Sequence, residues 1–127
     1  MRKILLFLLV AVVIGCTKDT LSKQILGNWA LVDYTCVNAR TNNQMSAATD
    51  VKMWTFTNSG SAYVNGSTPL TYTLNGKRLS VTYVNNGKVI DYDIEELSST
   101  TLKVYWFEKM GKNQDNLHCW YTFTKMK

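Results

Sequence analysis

Hydrophobic and polar residues alternate along most of the chain beyond residue 27, as they do in half-buried β-strands. In one such run Leu70, Tyr72 and Leu74 alternate with threonines, and later runs through Val81 and Tyr92 repeat the pattern. The pattern predicts eight strands: Asn28–Val37, Val51–Thr57, Ser61–Asn65, Leu70–Leu74, Arg78–Val84, Lys88–Glu95, Thr101–Glu108 and Leu117–Lys125. The period of two places a largely apolar set inside, including the aromatic residues Trp29, Trp54, Phe56, Tyr72, Tyr83, Tyr92 and Trp106.

Short turns separate nearly all of these strands. Asn-Gly pairs occur at Asn65-Gly66, at residues 75–76 and at residues 86–87, and this pair suits both central positions of a type I′ hairpin turn, where φ is positive. Consecutive strands are therefore expected to be antiparallel neighbours. Closure of an eight-stranded meander removes its two exposed edges, so the sequence predicts an all-β, eight-stranded antiparallel up-and-down barrel. The one long connection, residues 38–50, is polar and is expected to cover the barrel mouth as a lid.

The inward aromatic residues allow two interpretations. An eight-stranded barrel has an interior just wide enough to fill with side chains or to hold one small ligand. The rings either form a packed core or line a pocket, and buried tyrosines need hydrogen-bond partners in both cases. For the second interpretation, the candidate ligand-binding residues are Trp54, Phe56, Tyr72, Tyr83, Tyr92 and Trp106.

The first sixteen residues have the organisation of a secretory signal. A basic pair at residues 2–3 precedes the unbroken apolar run Ile4–Ile14, which is too short to cross a membrane because a spanning helix takes about 20 residues. The run ends in the sequence VIGC at Val13–Cys16, which resembles the lipobox of bacterial lipoproteins. That resemblance implies that Cys16 receives a lipid and becomes the mature N-terminus. The alternative is a plain secreted protein with an incidental cysteine.

The lipobox interpretation divides the chain into three parts. Residues 1–15 form a signal peptide, residues 16–24 hold the lipidated cysteine and a polar tether, and residues 25–127 form one barrel domain. The expected location is the bacterial cell envelope, anchored by lipid to the outer membrane on its periplasmic or surface face. The membrane, through this N-terminal lipid, is then the first expected partner.

Charge adds little to this picture. The chain has 14 basic and 9 acidic residues, and loss of residues 1–15 removes two of the basic ones. The remaining lysines and arginines are scattered and form no stripe or dense run, so nucleic acid is not an expected partner.

Two cysteines lie beyond Cys16, and in an oxidising compartment such as the envelope an even number of cysteines can pair. Cys36 and Cys119 are therefore predicted to form one disulfide, and two buried free thiols are the alternative. A bond between them closes a loop of about 80 residues, worth on the order of 4 kcal/mol in the chain-entropy model.

The chemistry of an enzyme is not apparent in the sequence. Asp91, Asp93 and Glu95 alternate with apolar residues and are expected to face outward, with Lys103 as a cross-strand partner. His118 is the single histidine, with no cysteine, histidine or aspartate cluster beside it, so neither a metal site nor a catalytic set is predicted. We expect no cofactor and no catalysis.

Three motifs resemble one protein family. The segment Leu26–Trp29 resembles the Gly-x-Trp motif of the lipocalin and calycin barrels, in which the tryptophan closes one barrel end; Gly27 and Trp29 are the matching residues. Residues 54–63 resemble the W-x-F-x-x-x-G-x-x-Y hairpin of small bacterial lipocalin-like lipoproteins, and residues 72–81 continue that pattern. Lipocalins also carry an arginine near the C-terminus that packs on the tryptophan, and here Lys125 or Lys127 would have to replace it.

This resemblance implies an envelope-tethered barrel that binds a small apolar or amphipathic ligand without catalysis. The alternative is a protein-interaction module, such as an envelope inhibitor or an accessory subunit. Such a module would have a filled barrel and would contact its partner through its loops or through an outer aromatic face with Tyr105 and Phe107.

Barrel closure creates a conflict in the first strand. Pairing Cys36 with Cys119 in an antiparallel register places Trp29 opposite Met126. If Trp29 points inward, strict alternation turns Cys36 outward, and its partner Cys119 outward with it. A β-bulge in either strand would reverse this.

Overall fold

The structure, a computed structural model, describes residues 21–45, 49–108 and 116–127. A single helical turn at residues 21–24 precedes the strands. The strands are β1 Gly27–Asn38, β2 Gln44–Met45, β3 Met53–Phe56, β4 Ser61–Val64, β5 Thr68–Asn75, β6 Arg78–Tyr83, β7 Val89–Leu97, β8 Thr101–Glu108 and β9 Leu117–Lys125.

Eight of these strands form a closed antiparallel barrel. From β3 to β9, consecutive strands pair with each other. β1 pairs with β3 on one side and with β9 on the other, which closes the barrel. The two-residue strand β2 pairs with the far end of β1 and was not expected from the sequence. The predicted all-β, eight-stranded up-and-down barrel is thus confirmed.

A β-bulge at Val32 resolves the conflict in the first strand. Trp29 lies opposite Lys125, and the register then shifts between Leu31 and Asp33 so that Cys36 lies opposite Cys119. The expected pairing of Trp29 with Met126 is therefore wrong by one residue. Val32 is the extra residue and is 61% exposed. Because it occupies a position without a partner, both Trp29 and Cys36 point inward and are buried.

The Asn-Gly pairs all lie in hairpin connections, but they do not form the same turn. Asn65 and Gly66 both have positive φ, 54° and 77°, as predicted. In the next hairpin the central residues are Gly76 and Lys77, and of these only Gly76 has positive φ, as a type II′ turn requires. In the third connection Gly87 alone has positive φ. The pair therefore predicted the hairpins correctly and the turn type only once.

Apolar side chains from all eight barrel strands meet in one core. The helical turn adds Ile25, which is completely buried and caps the barrel at the end where β1 begins. We call this the capped end, and the opposite end, where β1 ends and β9 begins, the mouth. The fully buried large residues are Ile25, Trp29, Trp54, Leu79, Val81, Leu102, Val104 and Phe123.

Candidate functional site

The middle of the barrel is filled by aromatic rings around Trp54. This indole is 1% exposed and stacks on Phe123 with ring centroids 4.7 Å apart. Phe56, Tyr92 and Tyr121 meet it edge-on at 5.7, 5.2 and 5.7 Å. The packed-core interpretation therefore holds for this layer.

The indole nitrogen of Trp54 is an exception within this packed layer. Its N–H is buried and has no hydrogen-bond acceptor among the described residues. An unpaired buried donor costs about 1–3 kcal/mol. Among the described residues, ring packing therefore holds the Trp54 side chain, and its donor is unused.

Toward the mouth, inward-facing rings become partly exposed. Tyr34 and Trp106 stack with centroids 5.7 Å apart and planes 4° from parallel, and both are half-buried. Tyr121 lies beneath them, 4.8 Å from Tyr34 and 4.5 Å from Trp106. Tyr83 is also inward and half-buried, and this burial raises the pKa of its phenol. The mouth is thus lined by flat apolar surfaces that carry hydroxyl groups.

Part of the long connection reaches into this mouth. The hydroxyls of Thr49 and Tyr121 share a hydrogen bond of 3.0 Å, and the backbone N–H of Val51 donates to the same Thr49 hydroxyl. Asn65 binds the residues that follow Val51, because its side-chain oxygen accepts hydrogen bonds from the N–H groups of Lys52 and Met53. Residues 46–48 of the expected lid lie outside the described residues.

The disulfide lies at the mouth, next to the stacked rings. Cys36 and Cys119 are bonded across β1 and β9, and both are buried. Cys119 lies directly opposite Trp106 in the register of β8 and β9. The predicted disulfide is confirmed, and it joins the strands that close the barrel at the rim of the mouth.

The capped end is organised around Trp29. Its indole N–H donates to the carbonyl of Ile25 at 2.8 Å, and the Lys125 ammonium lies 5.1 Å from its ring centroid. Lys125 therefore occupies the place that the family resemblance assigned to Lys125 or Lys127. Gly27 has φ of 119°, and a Cβ there would lie 3.1 Å from Lys125 Cε, so this position needs a glycine.

A cleft of about 380 Å³ opens beside this cap. It separates the N-terminal turn from the β3–β4 turn and from β5. Tyr72 lies in its wall and donates its hydroxyl to the carbonyl of Thr57, and burial raises the pKa of that phenol. The lining residues are Ser22, Lys23, Ile25, Leu26, Asn58, Gly60, Tyr72 and Leu74.

The six candidate ligand residues therefore do not form one site. Trp54, Phe56 and Tyr92 belong to the packed layer, Tyr83 and Trp106 line the mouth, and Tyr72 lies at the capped end. Sequence reasoning missed Tyr34 and Tyr121, because strict alternation from Trp29 turns both outward. The requirement that both Trp29 and Cys36 lie inside was the signal that could have found them.

Three carboxylates of the outer surface have polar partners on the neighbouring strands. Asp91 accepts from the Ser80 hydroxyl, and Asp93 and Glu95 form salt bridges with Arg78 and Lys103, so the predicted partner of Glu95 is correct. Within the described ranges no three of histidine, cysteine, aspartate and glutamate come together as metal ligands. No helix in the same residues is long and apolar enough to cross a membrane.

Next to these pairs lies an outward-facing group of rings on β8 and β9, which we call the outer aromatic face. It consists of Tyr105, Phe107, His118 and Trp120, with neighbouring centroids 5.1–5.7 Å apart. Phe107 is 42% exposed, and the Trp120 N–H donates to the Glu95 carboxylate. Burial, followed by the charges of Asp93 and Glu95, raises the pKa of Tyr105.

Comparison with known proteins gives a family match over most of the barrel. The model of a family described as lipocalin-like domain matches residues 25–104. Among solved structures, the chain is similar to a lipocalin-like protein from Bacteroides uniformis, with 18% identity and a TM-score of 0.51. The alignment covers 81% of this chain and 99% of that one. No curated protein matches the chain.

Proposed function

Because the chain belongs to the family of lipocalin-like domains, we propose that it binds one small apolar or amphipathic molecule at the barrel mouth and performs no catalysis. The observation that carries the proposal is the stacked pair Tyr34 and Trp106. These inward rings stay half-buried, whereas inward rings one layer deeper, such as Trp54, are fully packed. Half-buried rings at the mouth above a packed layer favour a shallow pocket over a deep cavity.

The polar groups at the mouth favour an amphipathic ligand over a purely apolar one. The hydroxyl pair of Thr49 and Tyr121 lies beside the stacked rings and adds polar atoms to the apolar surface there. The unused indole N–H of Trp54 belongs to the layer below, in ring contact with Tyr121. A ligand with an apolar, flat body and a carbonyl or hydroxyl group would use both kinds of surface.

The N-terminal sequence supports an envelope location for this activity. We propose that Cys16 carries the lipid and that residues 1–15 are removed. The helical turn that precedes the barrel begins at Leu21, five positions after Cys16, and five positions span at most ~18 Å when extended. Such a tether keeps the barrel close to the membrane, where apolar molecules are concentrated.

Lipid anchoring has its own test. The variant Cys16→Ala should leave the protein unlipidated and release it from the membrane fraction. The matched control is Cys36→Ala with Cys119→Ala, which removes two cysteines but keeps the lipobox. Membrane association that survives Cys16→Ala would refute the anchor.

Ligand binding is tested by native mass spectrometry of the protein purified gently from its own membrane. A stoichiometric small molecule is expected on the wild-type protein, and Trp106→Leu should remove it. The control is Phe107→Leu, which changes the next residue on the same strand, where the side chain faces outward. A molecule retained by Trp106→Leu, or none on the wild type, would refute the proposed site.

The outer aromatic face supports a second candidate, the protein-interaction module. Its rings include the expected Tyr105 and Phe107, and aromatic side chains are enriched at protein interfaces. The variants Trp106→Leu and Phe107→Leu distinguish ligand binding at the mouth from protein binding at the outer aromatic face. An envelope protein that co-purifies with wild type and Trp106→Leu, but is lost with Phe107→Leu, would replace ligand binding by this second function.

A further inference from the structure

We propose that the cleft at the capped end is a second binding site, for a single acyl chain with an anionic headgroup. The site lies at the opposite end of the barrel from the mouth, and none of its lining residues belongs to the mouth. It is therefore independent of the proposed function.

The floor of the cleft is apolar. Leu26 lies on one side and Leu74 with the ring of Tyr72 on the other, while Ile25 behind them is fully buried and offers no open surface. Tyr72 and Leu74 face the barrel interior but are only half-buried, because the cap formed by the N-terminal turn does not reach them. The Tyr72 hydroxyl is already bonded to the Thr57 carbonyl, so the ring offers mainly its apolar surface. An acyl chain would cover the surface that the cap leaves open.

The rim of the cleft is polar and positively charged. Ser22, Lys23 and Asn58 are exposed at its edge. No carboxylate among the described residues forms a salt bridge with Lys23, whereas Arg78 and Lys103 each have one. An ammonium group beside an apolar floor, with the Asn58 amide at the same rim, suits a carboxylate or phosphate headgroup.

The size of the cleft limits its occupant. Its volume of about 380 Å³ lies at the low end of the range for small-molecule pockets. One chain fits this space better than the two chains of a bilayer phospholipid. Gly60 adds to the open volume of the cleft because it has no side chain. A Cβ at this position would meet only the Tyr72 carbonyl, at 3.8 Å. Free fatty acids and single-chain lysophospholipids share the required chemistry.

The experiment is photo-crosslinking of the processed protein mixed with phosphatidylcholine vesicles. The probe is a twelve-carbon fatty acid with a diazirine near its methyl end. Saturable labelling is expected in peptides that contain Leu26, Gly60 or Leu74. Lys23→Gln should weaken this labelling about threefold, on the scale of one exposed charge pair. The control Lys88→Gln removes the same charge from the β6–β7 turn at the mouth and should leave the labelling unchanged.

Competition with unlabelled lipids identifies which kind of molecule supplies the acyl chain. Displacement by dodecanoate alone indicates a free fatty acid, and displacement by lysophosphatidylglycerol indicates a lysolipid; each result supports the site. Labelling that is not saturable, or that is equal for Lys23→Gln and wild type, would overturn the proposal. Labelling restricted to peptides of the mouth would also overturn it, while leaving the mouth site intact.

Discussion

The ammonium group of Lys125 lies over the indole ring of Trp29, 5.1 Å from its centroid, and donates a hydrogen bond to the carbonyl of Gln24. One side chain from the last strand thereby holds the first strand and the N-terminal turn together. In lipocalins an arginine near the C-terminus packs on this tryptophan, and here a lysine takes its position.

Replacement of Lys125 should therefore destabilise the capped end. Lys125→Ala removes the cation–π contact and the bond to Gln24, and we expect a loss of about 1 kcal/mol in the free energy of unfolding. Lys125→Arg should keep most of the stability, and Lys127→Ala, an exposed lysine nearby, should have no effect. Urea unfolding of the three variants checks this. Equal stability of Lys125→Ala and wild type would show that the contact contributes nothing.

The disulfide should contribute more than any other single interaction. It connects residues 83 positions apart in the chain, so it restricts the unfolded state strongly. The variant Cys36→Ala with Cys119→Ala should lose on the order of 4 kcal/mol. Denaturant unfolding with and without reductant measures this, because reductant should destabilise the wild type and leave the variant unchanged. Mass spectrometry should show the wild-type domain two hydrogens lighter than its reduced form.

The bulge at Val32 should be needed only because seven positions, an odd number, separate Trp29 from Cys36. Deletion of Val32 leaves six positions between them, so β1 and β9 keep one continuous register in which both side chains face inward. We therefore expect the deletion variant to form the disulfide and to keep Trp29 buried. The control Val32→Thr keeps the number of residues at an exposed position and should keep both the bulge and the bond. Thiol alkylation and tryptophan fluorescence provide the readout; free thiols or an exposed Trp29 in the deletion variant would contradict this account.

Asn65 should be more sensitive to mutation than the other turn asparagines. Its φ is 54°, its side-chain oxygen accepts from two backbone N–H groups, and its amide donates to the Asp50 carbonyl. Asn65→Ala should cost about 2 kcal/mol, through lost hydrogen bonds and a strained backbone.

The matched control for Asn65 is Asn86→Ala. Asn86 also precedes a glycine, but it accepts a single backbone bond, from Lys88, and its φ is not positive. We expect a cost of about 0.5–1 kcal/mol there. Thermal unfolding of both variants makes the comparison, and similar losses would show that the connection to residues 50–53 is unimportant for stability.

Local sequence was sufficient for the eight barrel strands and for the side that β5 to β8 bury. Val81, Ile94 and Val104 lie inside as their alternation predicted, because a period of two is a property of the extended backbone itself. The hairpins also followed from local sequence, since glycine permits the positive φ that tight turns require. The type of turn did not follow, because it depends on how the two strands pair.

The candidate site was predicted only in part. Trp106 and Tyr83 do line the mouth, but Trp54 belongs to a packed layer and Tyr72 to the opposite end. Alternation indicates which side of a strand is inward and not how completely the interior is filled at each level. That depends on the sizes of rings from several strands that meet around Trp54.

The sequence by itself determined an antiparallel barrel, the inward residues of β5 to β8 and the pairing of its two cysteines beyond Cys16. Only the tertiary structure decided the bulge at Val32, the inward position of Tyr34 and the cleft at the capped end. The reason is that closure joins strands more than 80 positions apart, such as those of Cys36 and Cys119. The register at that seam must satisfy Trp29 and Cys36 together, and no local pattern contains that condition.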